Sequence, residues 1–190
     1  MFIQTEDTPN PATIKFIPGQ TVLESGTLEF SSQADASKSP LALRLFGIVG
    51  VVRVFLTTNF VSVSKADDTD WSMLKPMILA ALMEHLSTNQ PIIDADFKGA
   101  DEGGASSGED EDNEVIVQIK ALLDERVRPM VAMDGGDIVF ERFEDGIVYL
   151  QMQGACAGCP SSTMTLKSGI ENMLRHYVPE VKEVRPSTEF

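Results

Sequence analysis

Apolar residues change their spacing several times along the chain, and the changes outline its elements. Thr13-Ile14-Lys15-Phe16-Ile17 alternates with period two and stops at Pro18-Gly19, and Thr27 to Ser31 repeats the pattern, so both predict strands. Leu41 to Ile48 follows Ser39-Pro40, and a proline at the first helical position predicts a short helix there. Val51 to Leu56 and Phe60 to Ser64 flank Thr57-Thr58-Asn59 as the two arms of a hairpin. Leu74, Ile78, Leu82 and Leu86 recur at four-residue spacing, which predicts a helix from about Trp71 to Ser87. Strands, helix, hairpin, helix in that order predict an α+β unit with its helices on one face of an antiparallel sheet.

The second half begins with Ile119, Leu122, Leu123, Val127, Met130 and Val131, a helical spacing that Pro129 should bend or end early and that Gly135-Gly136 should close. Ile138 to Phe143 and Ile147 to Gln153 are then joined by Glu144-Asp145-Gly146, and the Asp-Gly pair predicts a hairpin. Leu166, Ile170, Met173, Leu174 and Tyr177 mark a second helix, and Val181 to Arg185 a final edge strand. The order is αββαβ, without internal repeat and without similarity to the first half.

Between the halves, Phe97 to Asn113 carries four glycines and six acids and no large apolar side chain after Phe97. Such a segment cannot offset the entropy of its own ordering. It reads as a flexible, self-repelling acidic linker over 98–113, between domains at 1–97 and 114–190. The fold class is therefore α+β, two small domains on one linker.

Charge narrows the function classes. The chain has 190 residues, 43% hydrophobic and 23% charged, with 15 basic against 29 acidic side chains and a net charge of −14. Residues 1–97 carry 6 basic and 11 acidic groups and residues 114–190 carry 8 and 12, so neither domain offers a cationic groove. Nucleic-acid binding and anionic membranes are both disfavoured. The longest apolar run, Met73 to Leu86, is interrupted by Lys75, Pro76 and Glu84, short of the roughly 18 to 20 residues of a spanning helix. The opening Met1-Phe2-Ile3-Gln4-Thr5-Glu6-Asp7 has neither a secretory pattern nor an Arg-rich transit pattern, and the expected location is cytoplasmic.

The chemistry sits in Gln153-Gly154-Ala155-Cys156-Ala157-Gly158-Cys159-Pro160, between a strand end and a helix start. Gly154 and Gly158 allow sharp turning and a close approach to the sulfurs. Pro160 opens the helix, whose unpaired N–H groups and dipole favour thiolates and any anionic thiolate-ligated centre. C-x-x-C alone serves zinc, dithiol exchange and iron–sulfur ligation alike. A closed four-ligand centre exceeds what this loop supplies, so two chains would have to share it on a two-fold axis. A dithiol/disulfide oxidoreductase is the alternative, but the motif follows an antiparallel hairpin where that reading looks for a βαβ unit. His85 and His176 read as ordinary core or surface residues. Met130, Met133, Met152, Met164 and Met173 read as core packing, and Asp134 and Asp137 as part of a helix stop and turn. Arg142, Lys167 and Arg175 are candidates for attracting an acidic partner surface.

Gly146 to Lys167, with Gly169-Ile170-Glu171, Met173-Leu174 and the upstream Met133-Asp134-Gly135-Gly136-Asp137, resembles the C-terminal domain of the NifU family. Thr8-Pro9-Asn10-Pro11-Ala12-Thr13-Ile14-Lys15-Phe16, running to Pro18-Gly19, resembles the N-terminal domain of Nfu-type proteins. The resemblance implies a non-enzymatic iron–sulfur scaffold or carrier. In such a protein a 4Fe–4S cluster is held between the C-x-x-C motifs of two protomers and passed to apo-proteins. Carried over by position, Cys156 and Cys159 are the cluster ligands, and no other residue is implied. The implied partners are a second copy when loaded, apo iron–sulfur clients and upstream assembly proteins. The resemblance allows a bacterial cytoplasmic protein or a mature mitochondrial matrix form.

Overall fold

The computed structural model describes residues 2–94, 114–157 and 160–187, with backbone only at 160–163. The expected linker at 98–113, and with it the domain limits set there, lies outside the described residues. The chain divides into two compact units, Met1–Asp101 and Glu102–Phe190.

In the first unit, strands β1 (Gln4–Asp7), β2 (Thr13–Ile17), β3 (Leu28–Phe30), β4 (Val51–Leu56) and β5 (Val61–Lys65) form one antiparallel sheet in the order β1-β2-β5-β4-β3. Helix α1 (Pro40–Phe46) starts as expected. Ser39 caps it, its Oγ accepting from the Ala42 N–H at 3.2 Å and donating to the Ile92 carbonyl at 2.7 Å. Helix α2 (Trp71–Ser87) is capped by Asp70, which accepts from the Ser72 N–H at 2.7 Å, and that bond holds its carboxyl below the usual carboxylate range. Leu74, Ile78, Leu82 and Leu86 are all buried, as their spacing requires. Leu74, Ile78 and Leu82 join Ile14, Phe16, Val54, Leu56, Val61 and Val63 from one face of the sheet in a single core. Sequence reasoning did not find β1 or the short 3-10 turn at Asp35–Lys38.

The second unit shows αββαβ order, its first helix in two pieces, α3 (Glu114–Leu122) and α4 (Arg128–Met133), joined by a wide π turn at Leu123–Val127. The cause is legible in the spacing. Ile119, Leu123, Val127 and Val131 are all buried. Residues four apart on an α-helix drift by about 40° at each step, and one under-wound turn keeps them on one face. Pro129 then falls in the first turn of α4, where its missing N–H is tolerated, so it neither ends nor breaks the helix. Strands β6 (Gly136–Glu144) and β7 (Ile147–Gly154) pair antiparallel through a two-residue turn, with positive φ at Asp145 (53°) and Gly146 (86°). Helix α5 (Pro160–Tyr177) returns the chain to β8 (Glu183–Pro186), an edge strand parallel to β7, giving the order β6-β7-β8. Glu171 fastens this crossover by accepting the Val184 N–H at 3.0 Å.

Candidate functional site

The chain turns out of β7 at Gly154, which has φ 62°, and the Ala157 N–H closes the turn on the Gly154 carbonyl at 3.1 Å. Cys156 stands in this turn, 5% exposed and packed into the apolar core of the unit. Its neighbour across the sheet is the glycine pair. Gly136 is in register with Gly154, and the Gly135 carbonyl accepts the Ala155 N–H at 3.1 Å. A Cβ on Gly136 would lie 2.6 Å from Cys156 Sγ, 2.7 Å from the Gln153 carbonyl oxygen and 2.9 Å from the Cys156 nitrogen. The sulfur therefore occupies space that any other residue at 136 would fill. Gly135, at φ 80°, supplies the helix stop expected of the pair. Gly136 has the separate task of making room for the thiol, which sequence reasoning missed.

The strand that carries Gly136 is anchored at the next residue. Asp137 is 4% exposed and takes a two-pronged ion pair from Arg128, Nε to Oδ1 at 3.0 Å and a terminal nitrogen to Oδ2 at 2.8 Å. Its Oδ1 also accepts the Ile138 N–H at 2.8 Å, and Arg128 reaches Asp124 at 3.1 Å. These bonds, Asp137 first, raise the Arg128 guanidinium further above its ordinary range. Through this pair the start of α4 holds the start of β6, and β6 supports the thiol turn. Asp137 is thus occupied as a structural anion. The two partners stand nine residues apart and meet only because the chain folds back at Gly135.

Cys159, expected to act beside Cys156, lies outside the described residues. Helix α5 begins at Pro160, as expected, so its N-terminus adjoins the thiol segment. Among the described residues, no three His, Cys, Asp or Glu side chains gather into a metal-holding group. His85 is a buried core residue and His176 an exposed one, edge-on to Tyr177 at 4.9 Å. Arg142, Lys167 and Arg175 pair with Glu141 and Glu144, with Glu183, and with Glu171 respectively, so each carries its own counter-charge.

Two expectations are corrected. Met130, Met133 and Met164 are 64%, 77% and 74% exposed and are not core residues, while Met152 and Met173 do pack against the core. The π turn rotates Met130 off the buried face, Met133 is the last residue of α4, and Met164 lies one turn into α5. The motif also lies within a βαβ unit after all, because β8 runs parallel to β7. The hairpin that precedes it does not count against dithiol chemistry.

A family model described as NifU-like domain matches residues 119–185, and one described as scaffold protein Nfu/NifU N terminal matches residues 3–89. A human protein named NFU1 iron-sulfur cluster scaffold homolog, mitochondrial, is 49% identical over 97% of this chain and 71% of its own length. An Arabidopsis thaliana protein named NifU-like protein 4, mitochondrial, is 51% identical over 97% of this chain, which spans 65% of that relative. A solution structure of a NifU-like protein from Saccharomyces cerevisiae overlays 49% of this chain and 84% of its own at 23% identity and a TM-score of 0.45. Both domain models occur in the order read from the residues, and near-half identity runs through almost the whole chain. The chain belongs to the Nfu family of NifU-like proteins.

Proposed function

We propose that this protein carries an iron–sulfur cluster as cargo and delivers it to apo-proteins. The observation that carries the reading is the thiol turn, in which Cys156 Sγ lies against a glycine that leaves it room, in the unit matched to the NifU-like domain. The relatives' names as iron–sulfur cluster scaffolds support the cargo class. In this reading a 4Fe–4S cluster is bonded by Cys156 and Cys159 of two copies, because one chain has two cysteines and a closed cluster takes four thiolates. Delivery is ligand exchange. Each incoming client thiol releases its proton as its sulfur displaces a carrier thiolate, which takes a proton up, and no electron moves. The protein has no turnover of its own, and nucleic acid and membrane are not partners. The relatives' mitochondrial names favour the organellar location of the two expected.

Dithiol–disulfide exchange is the second reading, favoured by the βαβ placement of the motif. One experiment separates them. Anaerobic reconstitution of the full chain with iron and sulfide is followed by iron and sulfide analysis and native mass. Four irons and four sulfides on two chains, lost in Cys156→Ser and in Cys159→Ser, are expected of a carrier. A colourless monomer that forms a reversible Cys156–Cys159 disulfide would overturn it in favour of exchange.

A further inference from the structure

We propose that the exposed methionines beside the thiol turn, Met130, Met133 and Met164, form the face on which two loaded copies of this chain meet. The inference rests on the carrier reading above. A cluster bonded to sulfurs from two turns brings those turns within a few bond lengths, so whatever flanks the turn on one copy meets its equivalent on the other. Met133 stands two residues before Gly135, whose carbonyl is hydrogen-bonded to Ala155 beside Cys156. Met130, one helical turn earlier, shares its face. Met164 lies about 6 Å along α5 from Pro160, the helix start that follows the cysteines.

Charge selects this face over others. Each copy carries a net charge of −14 and repels its twin. Among the described residues, the exposed ones of α4 and of α5 as far as Gly169 are Pro129, Met130, Met133, Met164, Thr165, Ser168 and Gly169, all uncharged, with Asp134 at the rim and the part-exposed Arg128 and Lys167 each paired with a carboxylate. Two like-charged molecules can approach here with little desolvation of carboxylates. Methionine suits a contact that must open, since its flexible thioether packs without a fixed partner shape. Three side chains per copy fall well below the roughly 800 Å² per partner of a stable complex. The contact therefore holds only while the cluster bridges it, and the copies part when the cargo leaves.

The test is sedimentation velocity on the anaerobically reconstituted full chain, wild type against Met133→Glu/Met164→Glu. The methionine contact predicts a loaded dimer that dissociates at no less than ten times the wild-type concentration. Met133→Leu/Met164→Leu should stay within threefold of wild type, and Met73→Glu, at a methionine 69% exposed in the other unit, should do the same. Unchanged tyrosine fluorescence in the Glu variant shows that its fold is intact, since Tyr149 and Tyr177 both lie in this unit. Equal dissociation of the Glu variant and wild type overturns the contact while leaving the carrier reading in place. A wild type that takes up no cluster overturns both, and is recognised without any variant.

Discussion

The two units reach stability by different means. In the first, local signals and final structure agree for every element except β1 and the 3-10 turn. The strand alternation faces the core, Ser39 and Asp70 cap the helices that follow them, and the leucine spacing of α2 seals the sheet. In the second, three departures from regular structure sit together: a π turn inside a helix, a charged pair with a buried carboxylate, and a strand position where no side chain fits. All three converge on the turn that carries Cys156. Regularity suffices where a unit only has to hold together, and irregularity gathers where a reactive sulfur has to be placed.

The sharpest way to break this contrast uses the distribution of fluorophores. Trp71, the sole tryptophan, reports the first unit, and both tyrosines report the second. Leu82 is fully buried in the first core, so Leu82→Ala should destabilise the transition seen by Trp71 by about 2 to 5 kcal/mol. The tyrosine transition and the iron content after reconstitution should stay at their wild-type values. Loss of cluster loading in this variant would mean that the first unit shapes the thiol turn, and the contrast would fail.

Gly136→Ala ranks next and acts on the second unit alone. The new methyl group would overlap the Gln153 carbonyl and the Cys156 nitrogen as well as the sulfur, and overpacking against backbone costs about 1 to 3 kcal/mol. In a Cys159→Ser background, Cys156 should react with a thiol reagent at least tenfold faster than with Gly136 present, because the sulfur is pushed from its buried place. An unchanged rate would show that the turn accommodates a side chain and that Gly136 has no positioning role. Gly169→Ala, where a Cβ meets open space, is the matched control.

Asp137→Asn should follow at about 1 to 3 kcal/mol, since it removes the charge that Arg128 faces while keeping the shape. Its effect should appear in the tyrosine transition and, more weakly, in Cys156 reactivity, because the pair reaches the thiol only through β6. A loss of reactivity control without loss of stability would assign the pair a direct role at the sulfur.

What could be read in advance follows the same division. Spacing sufficed for α2, and turn chemistry for the Asp145-Gly146 hairpin, because each signal is local. Strand β1 escaped because Gln4–Asp7 has no apolar alternation, and only its pairing with β2, aided by the Glu6–Lys15 bridge, makes it a strand. Within the site, the cysteine pair and the glycine pair were both visible. The reason for Gly136 was not, since the sulfur that excludes its Cβ comes twenty residues later in the chain. Met130 was misassigned because a 3.6-residue period was extended through a turn that does not keep it.

The smallest effect concerns a buried titratable group in the first unit. His85 is buried in α2, its Nε2–H donating to the Pro91 carbonyl at 3.1 Å while Nδ1 has no hydrogen-bond partner among the described residues. Burial first, then the nearby positive charge of Arg44, lowers its pKa below the usual histidine value, against the opposing pull of the Pro91 carbonyl. The folded unit thus binds this proton less readily than the unfolded chain. Its stability is fully present above about pH 6.5, the unfolded value, and declines as pH falls from there toward the lower folded value. The midpoint of the Trp71 transition should drop between pH 7 and pH 5 more steeply in wild type than in His85→Gln, which cannot take up the proton. The tyrosine transition should show no such difference between the two proteins. Parallel Trp71 curves would mean that His85 titrates alike in the folded and unfolded states.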